Sequence, residues 1–195
     1  MRPDEAEAVL ALLRAAFAYM EPRIDPPSSL RLLTATALRD QNRTGEVWLA
    51  CAPEGMEVTP TSGGTRGSGT AATGAADPAT TGTMPAAACQ EREGGSRILA
   101  CMVLTPRPGA LYLGKLAVAA EARGRGLSRR MVAQAERRAR ALGLPRIELQ
   151  SRVELTENHA VFRRLGFQQT GATAHAGHDR PTSLSFARIL PDSPG

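Results

Sequence analysis

Between Leu111 and Ser128 the chain carries residues suited to holding a phosphorylated ligand. An apolar run, Leu111–Val118, passes through Ala119–Ala122 into Arg123-Gly124-Arg125-Gly126-Leu127-Ser128, and an arginine-studded amphipathic pattern follows. A glycine loop between a strand and a helix start aims its own amides and the first unpaired helix N–H groups at one point, where the helix dipole adds positive potential. Glycine lets a phosphate approach backbone that a Cβ would shield. Two nucleotide motifs fail on spacing. A dinucleotide fingerprint needs a third glycine where Arg129 stands, and a P-loop needs Gly-Lys-Ser/Thr, which is absent.

Titratable groups are sparse. His175 and His178 lie in a polar loop, and imidazole changes charge near neutrality, so either can serve as a base. The run His175-x-x-His178-Asp179 hints at a metal, but three ligands in a loop are too few, and no metal is expected. His159 is expected on the exposed face of a short helix.

Composition narrows the setting. The chain has 195 residues, enough for one domain with a real core, with 42% hydrophobic residues but only 4% aromatic. The formal charge is +5, yet Lys115 is the only lysine among 24 basic residues, which reads as arginine-rich coding bias rather than a nucleic-acid patch. Cys51, Cys89 and Cys101 have no C-x-x-C spacing, which argues against a disulfide framework or zinc site and for a reducing compartment. No apolar run approaches the ~18 residues of a membrane span, and Met1-Arg2-Pro3-Asp4-Glu5 carries acidic residues without the apolar stretch expected of a signal peptide. A cytoplasmic, soluble protein without nucleic-acid or membrane partners is expected.

The elements that must position the loop follow from periodicity. Apolar residues from Asp4 to Met20 recur at helical spacing, with Asp4 as N-cap. A proline-rich connector, Ile24–Ser29, offers serine caps to a second helix carrying Leu30, Leu33, Ala37 and Leu38. Strands are expected at Glu46–Cys51, Arg97–Leu104, Leu111–Val118, Arg146–Ser151, Phe167–Thr170 and Ser183–Ile189. The second and third form an antiparallel hairpin, and the helix between the third and fourth makes those two parallel. Leu127, Met131, Ala135, Ala139 and Leu142 form the stripe that packs that helix on the sheet. The whole chain, 1–195, reads as a single mixed α/β domain with antiparallel N-terminal strands and a parallel central pair, flanked by helices. A segment at about 53–96, much of it Gly, Ala, Thr, Ser and Pro, is expected to be a disordered insertion.

Two motifs in this order resemble the GNAT N-acetyltransferases. Arg123-Gly124-Arg125-Gly126-Leu127-Ser128 is similar to the family's coenzyme A loop, Arg/Gln-x-x-Gly-x-Gly/Ala. Glu157-Asn158-His159-Ala160-Val161-Phe162-Arg163-Arg164-Leu165-Gly166-Phe167 is similar to its second motif, an asparagine and a helix ending in Leu-Gly-Phe.

The resemblance implies a GNAT-like splayed sheet whose central strands part to admit acetyl-CoA as co-substrate. Backbone at Leu116, Ala117 and Val118 would hold the pantetheine arm and acetyl carbonyl. The amides of Arg123, Gly124, Arg125, Gly126, Leu127 and Ser128 would hold the pyrophosphate. Asn158 would meet the cofactor arm, and Phe162 would lie near the sulfur where many members place an acidic tyrosine. The implied reaction is direct attack of a primary amine, a small molecule or a peptide N-terminus, on the acetyl group in a ternary complex. Glu148, on the strand after the coenzyme helix, is the implied base, with His178 and His175 as alternatives. Phe162 keeps a second reading open: a degenerate domain that binds acyl-CoA as a sensor or interaction module without turnover.

Overall fold

The computed structural model describes residues 1–52 and 97–191, so the expectation for 53–96 lies outside the described residues. Four helices, α1 (Ala6–Phe17), α2 (Ala35–Thr44), α3 (Leu127–Ala141) and α4 (Thr156–Arg164), flank six strands. The strands are β1 (Glu46–Cys51), β2 (Ile98–Arg107), β3 (Ala110–Val118), β4 (Arg146–Arg152), β5 (Gln168–Thr173) and β6 (Ser183–Ile189). They form one sheet in the order β1-β2-β3-β4-β6-β5. All neighbours are antiparallel except β3 and β4, which run parallel as their crossover helix requires.

The central pair is joined only at its start. Leu111 pairs with Ile147 and Tyr112 with Glu148, after which β3 continues to Val118 and β4 to Arg152 without further pairing. The two strands therefore part, leaving a V-shaped opening between them.

A bulge sets which residues face which side of that opening. Cys101 pairs with Ala117 and Val103 with Gly114, so β3 holds one residue more than β2 over this stretch. Lys115 sits in the bulge with φ of 50°, in the left-handed region. The extra residue inverts the alternation of side chains. Leu111 and Leu113 pack in the cluster around α3, as do Leu116 and Val118 beyond the bulge, while Ala117 joins the cluster around α1.

Each sheet face has its own core. On one, Met102, Leu104, Ile147, Leu149 and Phe186 meet Met131, Val132, Ala135 and Ala139 of α3. On the other, Val47, Cys101 and Val103 meet Val9, Leu10 and Leu13 of α1 and Leu38 of α2. Burying a Leu, Val or Phe contributes ~1.5–3 kcal/mol each, so these two clusters hold the helices on the sheet.

Several local expectations shift. Asp4 lies inside a 3-10 turn, Pro3–Glu5, and α1 follows without a side-chain cap. Ser28 caps a second 3-10 turn, Ser29–Leu32, by accepting the Leu30 amide at 3.1 Å; Thr34 caps α2 by accepting the Ala37 amide at 3.1 Å. The α3 stripe is rotated by part of a turn: Val132 is buried, whereas Leu142 is 36% exposed. Gly143 and Gly166, with φ of 67° and 85°, end α3 and α4 as expected; the amides of Leu144 and Phe167 reach back to Ala139 O and Phe162 O at 2.9 and 3.0 Å. Among the described residues no helix is long and apolar enough to cross a membrane.

Candidate active site

The opening between β3 and β4 leads into a cleft of about 1120 Å³. Its walls include Leu116, Ala117, Val118, Arg123 and Ser128 from β3 and the following loop, and Asn158 and Phe162 from α4. Residues from two distant motifs thus meet in one cavity, which is large enough for an elongated ligand.

The glycine loop has the geometry of an anion cradle. Gly124 and Gly126 adopt φ of 76° and 72°, and Gly126 is the N-cap of α3. An added Cβ at either position would meet no protein atom within 4 Å, so nothing in the described protein fills the space before the loop. The first intrahelical bond of α3 runs from the Arg130 amide to Gly126 O at 3.1 Å. The first-turn amides of Leu127, Ser128 and Arg129 come before that bond, at the positive end of the dipole.

The second motif is held from the N-terminal side. Tyr19, in a 3-10 turn after α1, accepts a hydrogen bond on its hydroxyl from Asn158 Nδ2 at 2.9 Å. Arg23 makes a bidentate contact with the Glu157 carboxylate and also donates to Glu154 O at 3.2 Å. This contact holds the Glu157 carboxyl below its ordinary range, with its backbone amide adding to the effect. The Asp25 amide donates to Glu154 Oε1 at 3.3 Å. The segment from Tyr19 to Asp25 is thereby laced to the start of α4 and forms the outer wall of the cleft. Tyr19 and Arg23 were not singled out in the sequence, because nothing local marks a contact across more than 130 positions.

Phe162 packs edge-on to Phe167, with ring centroids 6.3 Å apart, and tilted against Phe186 at 5.8 Å. It lines the cleft as an apolar surface without a proton to give. His159 departs from expectation. It is 4% exposed, its Nε2 donates to Arg152 O at 2.9 Å, and its ring lies 5.5 Å from Phe186. It ties α4 to the end of β4, a structural role that an exposed helix position would not have.

The three candidate bases occupy different places. Glu148 stands on the last paired rung of the central strands, opposite Tyr112, and its Oε1 accepts from Arg146 Nε at 2.6 Å. Tyr112 and Gln150 line the cleft, but Glu148 itself is not among the lining residues. His178 faces Asp25, with Nε2 3.5 Å from Oδ2. His175 lines the cleft. The Thr182 hydroxyl is directed to Thr173 O at 3.5 Å, so its oxygen accepts the His175 amide at 2.9 Å and Nδ1–H at 2.5 Å. That assignment leaves the Nε2 lone pair facing Arg152 Nη1 at 3.5 Å. Among the described residues no three His, Cys, Asp or Glu side chains gather in a metal-binding group.

Residues 75–167 match the family model described as Acetyltransferase (GNAT) family. An acetyltransferase of the GNAT family from Staphylococcus aureus Mu50 superposes with a TM-score of 0.62 at 10% identity, over 97% of this chain and 96% of its own. An acetyltransferase from Streptococcus agalactiae 2603 gives 0.59 at 15%, over 97% and 94%. A ribosomal-protein-alanine N-acetyltransferase from Brucella melitensis gives 0.56 at 19%, over 97% of both chains. At such identities the likeness speaks for the fold alone. No curated protein matches the chain. Residues 75–167 thus match the acetyltransferase (GNAT) family model, and the described residues of the chain have the GNAT fold.

Proposed function

We propose that this protein transfers the acetyl group of acetyl-CoA to a primary amine by direct attack in a ternary complex. One observation carries the reading: the parted strands, Arg123 and Ser128 at the two ends of the glycine loop, Asn158 and Phe162 all border a single cleft. The pyrophosphate would lie on the loop and first-turn amides from Gly124 to Ser128, the Arg123 amide being donated to Ala120 O at 3.3 Å. The pantetheine arm would follow β3 along Leu116–Val118, a stretch whose backbone lost its β4 partner when the strands parted. Asn158 would meet the arm from the other wall.

Acetyl transfer then needs a neutral amine, donors for the oxyanion and a route for the leaving thiolate. An alkyl ammonium with a pKa near 10.4 must lose a proton before it attacks. Glu148 is the proposed base, working through water from the rung where the strands part, with His178 as the alternative. The Val118 amide is the proposed oxyanion donor. Attack forms the C–N bond, and collapse of the tetrahedral intermediate breaks the C–S bond. Since Phe162 offers no proton, the thiolate takes one from water or from the acceptor nitrogen.

The test is release of free thiol from acetyl-CoA over a panel of primary amines and peptide N-termini. Amine-dependent release is expected. Phe162 specifically favours the second reading, an acyl-CoA sensor without turnover. Acetyl-CoA binding with no thiol release on any amine would select that reading and remove the transferase assignment.

A further inference from the structure

The cleft carries positive charge that the cofactor assignment does not use. Lys115 lines the cleft from the bulge of β3, and among the described residues it makes no ion pair. Burial lowers its pKa, as expected for an ammonium with little water and no counter-ion. Arg152 lines the same cleft from the end of β4, with only 11% of its side chain exposed. Its Nε lies 3.8 Å from Glu154 Oε2, outside hydrogen-bond reach. Both Nε and Nη2 are buried without an acceptor among the described residues.

The register places these two cations across the opening from one another. The last rung is Tyr112 with Glu148; Lys115 lies three residues beyond it on β3 and Arg152 four beyond it on β4. Glu154 gives Arg152 an ion pair at 3.8 Å without a hydrogen bond, and Lys115 has no carboxylate partner among the described residues. Arg31 is paired with Glu21 at 3.0 Å, and the carboxylate that lines the cleft, Glu157, is occupied by Arg23. Buried cations short of acceptors raise the energy of the empty site, and an anion that reaches them relieves that cost.

We infer that the acceptor amine carries an oxyanion group, a carboxylate or a phosphate, bound between Lys115 and Arg152. The inference rests on the transferase reading above. Charge-assisted bonds from an ammonium and a guanidinium suit either oxyanion. His175 is the positioning residue: its Nδ1–H is anchored on Thr182, and its Nε2 faces the Arg152 guanidinium. Polycationic acceptors are disfavoured by the same charges.

Calorimetric titration of the protein saturated with coenzyme A reads this subsite without turnover. The probes are amino acids with small, acidic, basic and aromatic side chains, each beside its carboxamide, and phosphoethanolamine beside ethanolamine. At least one anionic probe is expected to bind about tenfold or more tightly than its neutral partner, and the two sets of pairs tell carboxylate from phosphate. Lys115→Met and Arg152→Gln are each expected to remove most of that ratio, with coenzyme A affinity reporting that the variants are folded. Equal binding within every pair, or a ratio that both variants leave intact, overturns the inference. The comparison within wild-type protein stands even if a variant does not fold. Thiol release, measured separately, tests the transferase reading: discrimination without release keeps the oxyanion site and removes the transferase, and release without discrimination does the reverse.

Discussion

Gly126 and Gly109 form a matched pair that separates backbone strain from ligand contact. Both have left-handed φ, 72° and 71°, and an added Cβ meets nothing within 4 Å at either. Gly109 lies in the turn between β2 and β3, whereas Gly126 caps α3 at the cofactor loop. Alanine in left-handed backbone costs about 1–2 kcal/mol, and with no clash at either site that is the whole cost to folding. For a chain of this length the two variants should each lower Tm by roughly 2–8 °C. Their effects on coenzyme A should differ. At Gly126 the space before the Cβ is where the pyrophosphate is assigned, and losing one charge-assisted hydrogen bond there costs ~1.5–3 kcal/mol. Gly126→Ala should therefore weaken coenzyme A binding by roughly 10- to 100-fold in calorimetry, and Gly109→Ala should leave it unchanged. Equal coenzyme affinity in the two variants, with equal losses of Tm, would refute the loop assignment.

Three further outcomes follow from the site and the core. Glu148→Gln should lower the rate and flatten its acid limb if Glu148 is the base; an unaltered pH profile would move the base to His178 or to water. Burial pushes the Cys101 thiol up to about 12, so peptide mapping after alkylation at about pH 8.5, where ordinary thiols are half ionised, should find Cys101 unmodified in the folded protein and modified once the protein is unfolded. Burial also lowers the Lys115 pKa in the folded state, and its ordinary value in the unfolded chain is near 10.4. The cost of burying the ammonium is complete below the lowered pKa and vanishes as pH rises through the ordinary one. Lys115→Met should accordingly raise Tm at neutral pH, with the gain shrinking towards pH 10; a gain independent of pH would assign the effect to packing instead.

The features legible in the sequence are those that local periodicity and turn chemistry encode. Alternation marked the β2–β3 hairpin, although β2 runs on through Thr105 and Pro106 to Arg107 and only Pro108 and Gly109 form the turn; the crossover helix made β3 and β4 parallel, and the glycines at 143 and 166 end α3 and α4. Of the residues that the two motifs pointed at, Leu116, Ala117, Val118, Arg123, Ser128, Asn158 and Phe162 line one cleft, whereas Gly124, Arg125, Gly126 and Leu127 are not among its lining residues. What remained hidden depends on tertiary contact. The bulge at Lys115 arises from how β3 lies on β2, and a periodic pattern cannot show which residue is the extra one. His159 looked like a polar residue on a small helix, yet the Arg152 carbonyl satisfies its Nε2 and permits burial. The Tyr19–Asn158 and Arg23–Glu157 contacts join the chain's two ends, and each residue alone resembles ordinary surface. Arg138 carries no local mark of a partner, yet its guanidinium reaches Glu46 of β1 at 2.5 Å.

The most direct test of the account follows the acetyl group itself. Acetyl-CoA labelled in the acetyl carbonyl is incubated with the protein and an acceptor amine, and free thiol and labelled amide are measured together. The account predicts that the two appear in equal amounts, with the label on the acceptor nitrogen, and that both rates fall in Gly126→Ala but not in Gly109→Ala. Bound acetyl-CoA that yields no labelled amide with any amine would contradict it.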